Sequence, residues 1–236
     1  MARLSSNELM QLRLELAQPM SPAAMQAEVD RLKQRLGYWA LVHDTPFRDA
    51  FVAAQFARLR GAASVCLSKN PPDFQLFGIP GCDLFEAVET YPEGRLRSNE
   101  YRRLAEAHDR CLAFGTGALT EAELTLFKEA SDPDDDGQWE ARASTASSLL
   151  SVAAAKKYNK GYPTDWGLVV LLDLGGFVRD DRVVVAAMQE GTKLARHRFA
   201  EVWVLYRGAA WRVWCDGELR MECFSALVDQ RTSTAI

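Results

Sequence analysis

The sequence predicts an α/β fold, a mixed sheet sandwiched by helices, with a helical extension at the N-terminus. Three observations predict it. Trp166 to Leu174 is an apolar run of strand length, unbroken as far as Asp173, the pattern of a strand buried on both faces in the middle of a sheet. Two hairpin patterns flank it. One joins the run ending at Phe77 to the run starting at Cys82 around Gly78-Ile79-Pro80-Gly81, and the other joins Glu201–Tyr206 to Ala210–Trp214 around Arg207-Gly208-Ala209. Helix-length segments with cap signals lie between them, giving the order helix, strand, strand, strand, helix, strand, helix, strand.

In chain order, Ser5-x-x-Glu8 is a capping box for a helix to about Ala17, and Ser21-Pro22 supplies an N-cap and an N1 proline for a second helix through about Leu36. These two amphipathic helices make up an extension over residues 1–44. Their apolar faces suit a homodimer contact or a protein partner, and packing onto the main body satisfies them equally. Thr45-Pro46 repeats the start signal and opens the main domain, residues 45–236. Its first helix carries Phe47, Phe51, Ala54 and Phe56 and ends at Gly61, a residue suited to the C′ position. A strand over Ala63–Leu67 leads into the first hairpin. A basic turn follows from Tyr91 to Arg97, then a helix from Ser98 to about Leu112 and a short helix from Thr120. Beyond the acidic loop Asp132–Gly137, a long Ala/Ser/Leu-rich helix runs from Trp139 to Tyr158 and ends in Lys156-Lys157-Tyr158-Asn159-Lys160. A further helix spans about Val184 to Arg198.

At 236 residues and 48% hydrophobic, the chain has material for one elaborated domain with an extension. The 28 Lys+Arg against 32 Asp+Glu, net −4, exclude bulk electrostatic attraction to nucleic acid and leave room for a local basic groove. Five cysteines, odd in number and without a C-x-x-C pair, read as reduced core thiols. The first twenty residues carry charges throughout, so they hold no signal-peptide apolar region, and no apolar run approaches the roughly 18 residues of a membrane span. The expectation is a soluble, cytoplasmic protein with no membrane partner.

The first hairpin carries the chemistry. If Gly78–Gly81 form the loop, Phe77 pairs with Cys82, and counting outward sets Asp73 opposite Glu86. Opposed side chains share a face with Cβ atoms about 5 Å apart. Two carboxylates so placed require a cation between them, a shared proton or a wide solvent gap. A hard divalent cation, Mg²⁺ or Mn²⁺, is the reading that carries chemistry. The plainer reading makes Asp73 a turn aspartate capping local N–H groups and Glu86 an edge-strand charge that deters aggregation.

Pro72-Asp73 and Glu86-Ala87-Val88, in this order of elements, resemble the PD and (D/E)XK elements of the restriction-endonuclease-like PD-(D/E)XK superfamily. Pro72-Asp73-Phe74, Phe85–Glu89 and Gly94–Arg102 look more narrowly like a bacterial group of uncharacterised nucleases, the likeness running from about Pro46 to Trp214. The resemblance implies a restriction-endonuclease-like core and a hydrolase that cuts nucleic acid, DNA ahead of RNA, with Asp73 and Glu86 binding Mg²⁺. It also implies a lysine where this chain has Val88. Lys156 and Lys157 are the replacements to consider, because lysines in this superfamily migrate to a neighbouring helix. Glu89 is a third candidate, although strand alternation points it away from Glu86 unless the strand bulges. Arg95, Arg97, Arg102 and Lys160 are candidate phosphate contacts. The helix dipole alone also explains Lys156, Lys157 and Lys160 at a helix C-terminus. Val88 supports one alternative, a catalytically inactive nuclease-like scaffold serving as adaptor or inhibitor, and Arg95, Arg97 and the Lys156 cluster support another, a metal-free nucleic-acid-binding module.

Other motifs carry less. Asp132-x-Asp134-x-Asp136-Gly137 opens like an EF-hand loop, but its twelfth position is Ala143. Gly115-x-Gly117 lacks the rest of a dinucleotide fingerprint, and His43, His108 and His197 show no ligand spacing. Trp203, Tyr206, Trp211 and Trp214 alternate through a hairpin as core and cross-strand packing.

Overall fold

The continuous apolar run becomes β4 (Gly167–Leu172), the middle strand of a mixed sheet that has seven strands among the described residues. The computed structural model describes residues 4–36, 45–69, 71–91, 120–121, 138–174, 181–206 and 208–225. Strands β1 (Ser64–Leu67), β2 (Phe74–Phe77) and β3 (Leu84–Thr90) form an antiparallel meander at one side. β3, β4 and β5 (Glu201–Tyr206) run parallel, and β5, β6 (Ala209–Cys215) and β7 (Glu218–Ser225) form a second antiparallel meander. Alternation along β4 explains its unbroken hydrophobicity. Leu168 and Val170 enter one core and Val169 the other.

Helices α1 (Ser6–Leu16), α2 (Pro22–Leu36) and α3 (Thr45–Arg60) cover one face, where Leu16, Met25, Val29 and Phe56 meet Phe74, Phe85, Val169 and Trp203. The crossover helices α4 (Gln138–Tyr158), α5 (Asp181–Gly191) and α6 (Lys193–Arg196) cover the other, where Leu150, Ala154, Val184 and Met188 meet Val88, Leu168, Val170 and Val204. Both caps expected at the N-terminus form: the Ser5 Oγ accepts from the Glu8 N–H while Glu8 accepts from the Ser5 N–H, and the Ser21 Oγ accepts from the Ala24 N–H. Gly61 ends α3 at φ 68°, in the left-handed region that suits glycine.

Within the expected extension, α1 and α2 share the core of α3 and the sheet, the packing onto the main body that their apolar faces allowed. Met20 seals the join, exchanging backbone hydrogen bonds with Val65 at 3.0 and 2.8 Å. The helix expected from Val184 to Arg198 breaks at Thr192, whose hydroxyl donates back to the Met188 carbonyl at 2.7 Å. β7 was not expected. It follows a hairpin turn in which Asp216 and Gly217 both have positive φ, and its charged residues Glu218, Arg220 and Glu222 hide it from an apolar pattern. The basic turn near Arg95, the helix from Ser98, most of the helix expected from Thr120 and the acidic loop lie outside the described residues. No helix among the described residues is long and apolar enough to cross a membrane.

Candidate active site

Phe74 pairs with Phe85 and Gln75 with Leu84, the register that the Gly78–Gly81 loop predicts, and one step further along it Asp73 stands opposite Glu86. Strand pairing stops at Phe74, and the Asp73 side chain continues it: Oδ2 accepts the Ala87 backbone N–H at 2.8 Å. Glu86 lies on the α4 face of β3 with Val88 and Thr90, and Thr90 ties the strand to the helix by donating to the Leu149 carbonyl at 3.1 Å. That contact sets the phase of α4. Two turns on, Lys157 projects from the last turn into the sheet.

The Lys157 ammonium lies between the two carboxylates, 2.5 Å from Glu86 Oε2 and 3.2 Å from Asp73 Oδ2. Side-chain exposure is 1% for Glu86, 8% for Lys157 and 29% for Asp73, so the cluster opens to solvent on the Asp73 side. A cation between opposed carboxylates is one of the three arrangements their repulsion requires, and here the chain supplies it. Burial pushes the Glu86 carboxyl above its ordinary range. The Lys157 hydrogen bond opposes that shift and the Asp73 charge adds to it. Tyr162, on the loop after α4, has its hydroxyl beside Glu86. Burial, then the two carboxylates, raise its pKa, and its ring centroid is 5.8 Å from Lys157 Nζ.

Asp49 on α3 was not singled out in the sequence. Its carboxyl is pushed up to about 6 by burial first and the Asp73 charge second, against the opposing charges of Arg48 and Lys157. Only the position of Asp49 on a helix otherwise presenting Phe47 and Ala50 to the core hints that it is held among apolar groups.

The remaining candidates fall elsewhere. Lys156 is exposed on α4, a hundred degrees around the helix from Lys157, and is not brought to the carboxylates. Glu89 lies on the opposite face of β3 from Glu86, because the pairing of β3 with β4 runs without a bulge from Phe85 to Thr90. Lys160 is exposed beyond the helix end, its Nζ 5.9 Å from the Tyr162 ring centroid. Arg95, Arg97 and Arg102 lie outside the described residues. Val88, where the resembled motif has lysine, is buried in the core beneath α4. The buried thiols Cys82 and Cys215 are pushed up to about 12 and about 11 by burial, so neither is a nucleophile at neutral pH.

Two observations bear on a metal. Glu86 Oε1 is buried without a hydrogen-bond partner among the described residues, while Oε2 is taken by Lys157. A buried carboxylate oxygen without a close partner is costly and marks a place for a cation or a donor, and the Tyr162 hydroxyl beside Glu86 is such a donor. Among the described residues no three His, Cys, Asp or Glu side chains gather into a ligand set. Two carboxylates suit Mg²⁺, which keeps several waters and is held by one or two carboxylates plus substrate phosphates. The residues present therefore fit a hard, partly hydrated divalent ion. Searches of family models, curated proteins and solved structures find no match to the chain.

Proposed function

We propose that this protein is a metal-dependent nuclease hydrolysing DNA phosphodiester bonds, with a restriction-endonuclease-like core. The observation that supports the reading most is the Lys157 ammonium, 2.5 Å from Glu86 and 3.2 Å from Asp73. It supplies from a helix the charge that Val88 cannot supply from the strand.

Asp73 and Glu86 would hold Mg²⁺ or Mn²⁺ through the oxygens that Lys157 leaves, Glu86 Oε1 among them. Such an ion lowers the pKa of a bound water and offsets charge on the scissile phosphate. Lys157 keeps both carboxylates in one orientation and has further N–H capacity for the attacking water or a phosphate oxygen. Tyr162, held neutral, is a hydroxyl donor at the buried end of the site. Asp49, whose carboxyl is pushed up to about 6, lies close enough to Asp73 to feel its charge.

The same ammonium supports a second reading. Lys157 offsets one of the two negative charges without any metal, as a structural ion cluster would. The chain would then be an inactive nuclease-like scaffold or a metal-free nucleic-acid-binding module.

Incubating the protein with plasmid, single-stranded DNA and RNA in Mg²⁺, Mn²⁺ or EDTA separates these readings. The expected result is metal-dependent cutting of DNA that falls at least about 100-fold in each of Asp73→Asn, Glu86→Gln and Lys157→Met. Cutting that survives in Glu86→Gln, or none by the parent chain in either metal, overturns the nuclease reading.

A further inference from the structure

A second feature lies one loop away from the carboxylates. A cleft of about 320 Å³ opens where β4 and β5 begin, lined by Thr164, Arg196, His197, Arg198, Trp214 and Asp216 among others. Residues 159–166 join the two places. That loop sends Tyr162 toward Glu86 and Thr164 into the cleft, and at its Gly161 turn a Cβ would stand 3.6 Å from the Arg198 guanidinium.

The charges in the cleft are unevenly satisfied. Glu201, at its floor, is already spent: it accepts from Arg60 at 3.3 Å on each oxygen and from the Trp203 indole N–H at 2.7 Å. Asp216 stands on the turn at the rim and accepts from the Cys215 thiol. Arg196 donates one guanidinium nitrogen to the Gln189 carbonyl and the Thr192 hydroxyl. The Nε atoms of both Arg196 and Arg198 are buried with no partner among the described residues. The same holds for Arg60 and Arg212, whose guanidinium groups are ion-paired with Glu201 and Glu222, whereas those of Arg196 and Arg198 belong to the cleft lining, where the planar fork of arginine matches phosphate.

We propose that this cleft is a second phosphate subsite, in which Arg198 and Arg196 hold a backbone phosphate of the same DNA strand whose scissile phosphate lies at Asp73, Glu86 and Lys157. The inference rests on the nuclease reading for the identity of the strand. The α4–β4 loop is then the bridge over which the strand passes, with Lys160 exposed on it.

The test is equilibrium binding of a fluorescein-labelled 15-mer of single-stranded DNA to the full chain in EDTA, so that cutting plays no part, across 50 to 200 mM salt. Arg198→Gln is expected to bind about tenfold more weakly and to lower the slope of log affinity against log salt by about 0.7, the loss of one phosphate contact. Arg198→Lys, which keeps charge and stem, is expected to retain the slope with several-fold weaker binding. It also serves as the readout if Arg198→Gln melts below the assay temperature. Unchanged affinity and slope in Arg198→Gln, unchanged affinity in Arg198→Lys, or no binding by the parent chain overturns the subsite. A chain that binds through Arg198 and cuts nothing in Mg²⁺ keeps the subsite and removes the nuclease reading. A chain that cuts, with binding indifferent to Arg198, does the reverse.

Discussion

Lys157 and Glu86 stand 71 residues apart in the chain, and their charged atoms meet at 2.5 Å beneath the sheet surface, with Glu86 only 1% exposed. Desolvation of such a pair offsets much of its attraction, so the pair adds little net stability, but removing one member strands the other. Lys157→Met is therefore expected to lose about 3–5 kcal/mol at pH 8. Glu86 already has a raised pKa, and without Lys157 it rises further, so the loss shrinks as pH falls and Glu86 takes up a proton. The double variant Lys157→Met/Glu86→Gln regains most of the loss at pH 8. Denaturant titrations at pH 8 and pH 5 in EDTA read all three. A pH-independent loss would mean that packing of the lysine stem, and not the charge, is what was removed.

Asp49 gives a second pH dependence. Its folded pKa of about 6 lies above its ordinary 3.8, so the folded chain binds the proton more tightly than the unfolded chain. The resulting stability is full below about 4 and is lost as pH rises through about 6. Asp49→Asn removes the ionised form and is expected to stabilise the metal-free protein at pH 8, by at most about 3 kcal/mol. It brings little gain at pH 4. Melting curves at the two pH values check this, and equal shifts at both would contradict it.

Gly167 opens β4 opposite Phe85 in the parallel register, and a Cβ there would stand 2.3 Å from the Phe85 ring. The ring cannot swing away, because Phe56 and Phe74 pack against it at centroid distances of 5.0 and 5.6 Å. Gly167→Ala is expected to cost about 1–3 kcal/mol by overpacking. Since Glu86 follows Phe85, it should also slow cutting more than a remote substitution of equal cost. Comparing its rate with that of a stability-matched variant on α5 tests the second half of that statement.

A chain beginning at residue 45 is expected not to fold cooperatively. Leu16, Met25 and Val29 are fully buried against α3 and the sheet, and without them the apolar faces of Ala53, Phe56 and Val65 meet water. A broad, low-enthalpy thermal transition is the expected observation. A sharp transition near that of the full chain would make residues 1–44 a true appendage.

The carboxylate pair was legible because the short glycine-bounded loop Gly78–Gly81 leaves one way to count the strands, and side-chain alternation does the rest. The lysine was legible only as a choice among neighbours. Lys156 and Lys157 differ by a hundred degrees around α4, and which one enters the sheet is set by where the helix lies, fixed by contacts such as Thr90 to Leu149. Asp49 was invisible for the same reason, since nothing local to α3 brings it to β2. β7 was missed on other grounds: an outer strand with one wet face carries charges that apolar periodicity discards, although Asp216-Gly217 announced its turn.

The aromatic cluster under the hairpin has a consequence for ion choice. Phe74 and Phe85 face each other across β2 and β3 with rings nearly parallel, 13° apart, and Phe56 meets both edge-on. Asp73 precedes the first and Glu86 follows the second, so the ring packing on the far side of the sheet bears on the backbone separation from which the two carboxylates reach Lys157. Oxygen ligands sit roughly 2.1 Å from Mg²⁺ and roughly 2.4 Å from Ca²⁺. On the nuclease reading, trimming Phe56 is expected to loosen whatever ion preference the carboxylates have without touching a single ligand.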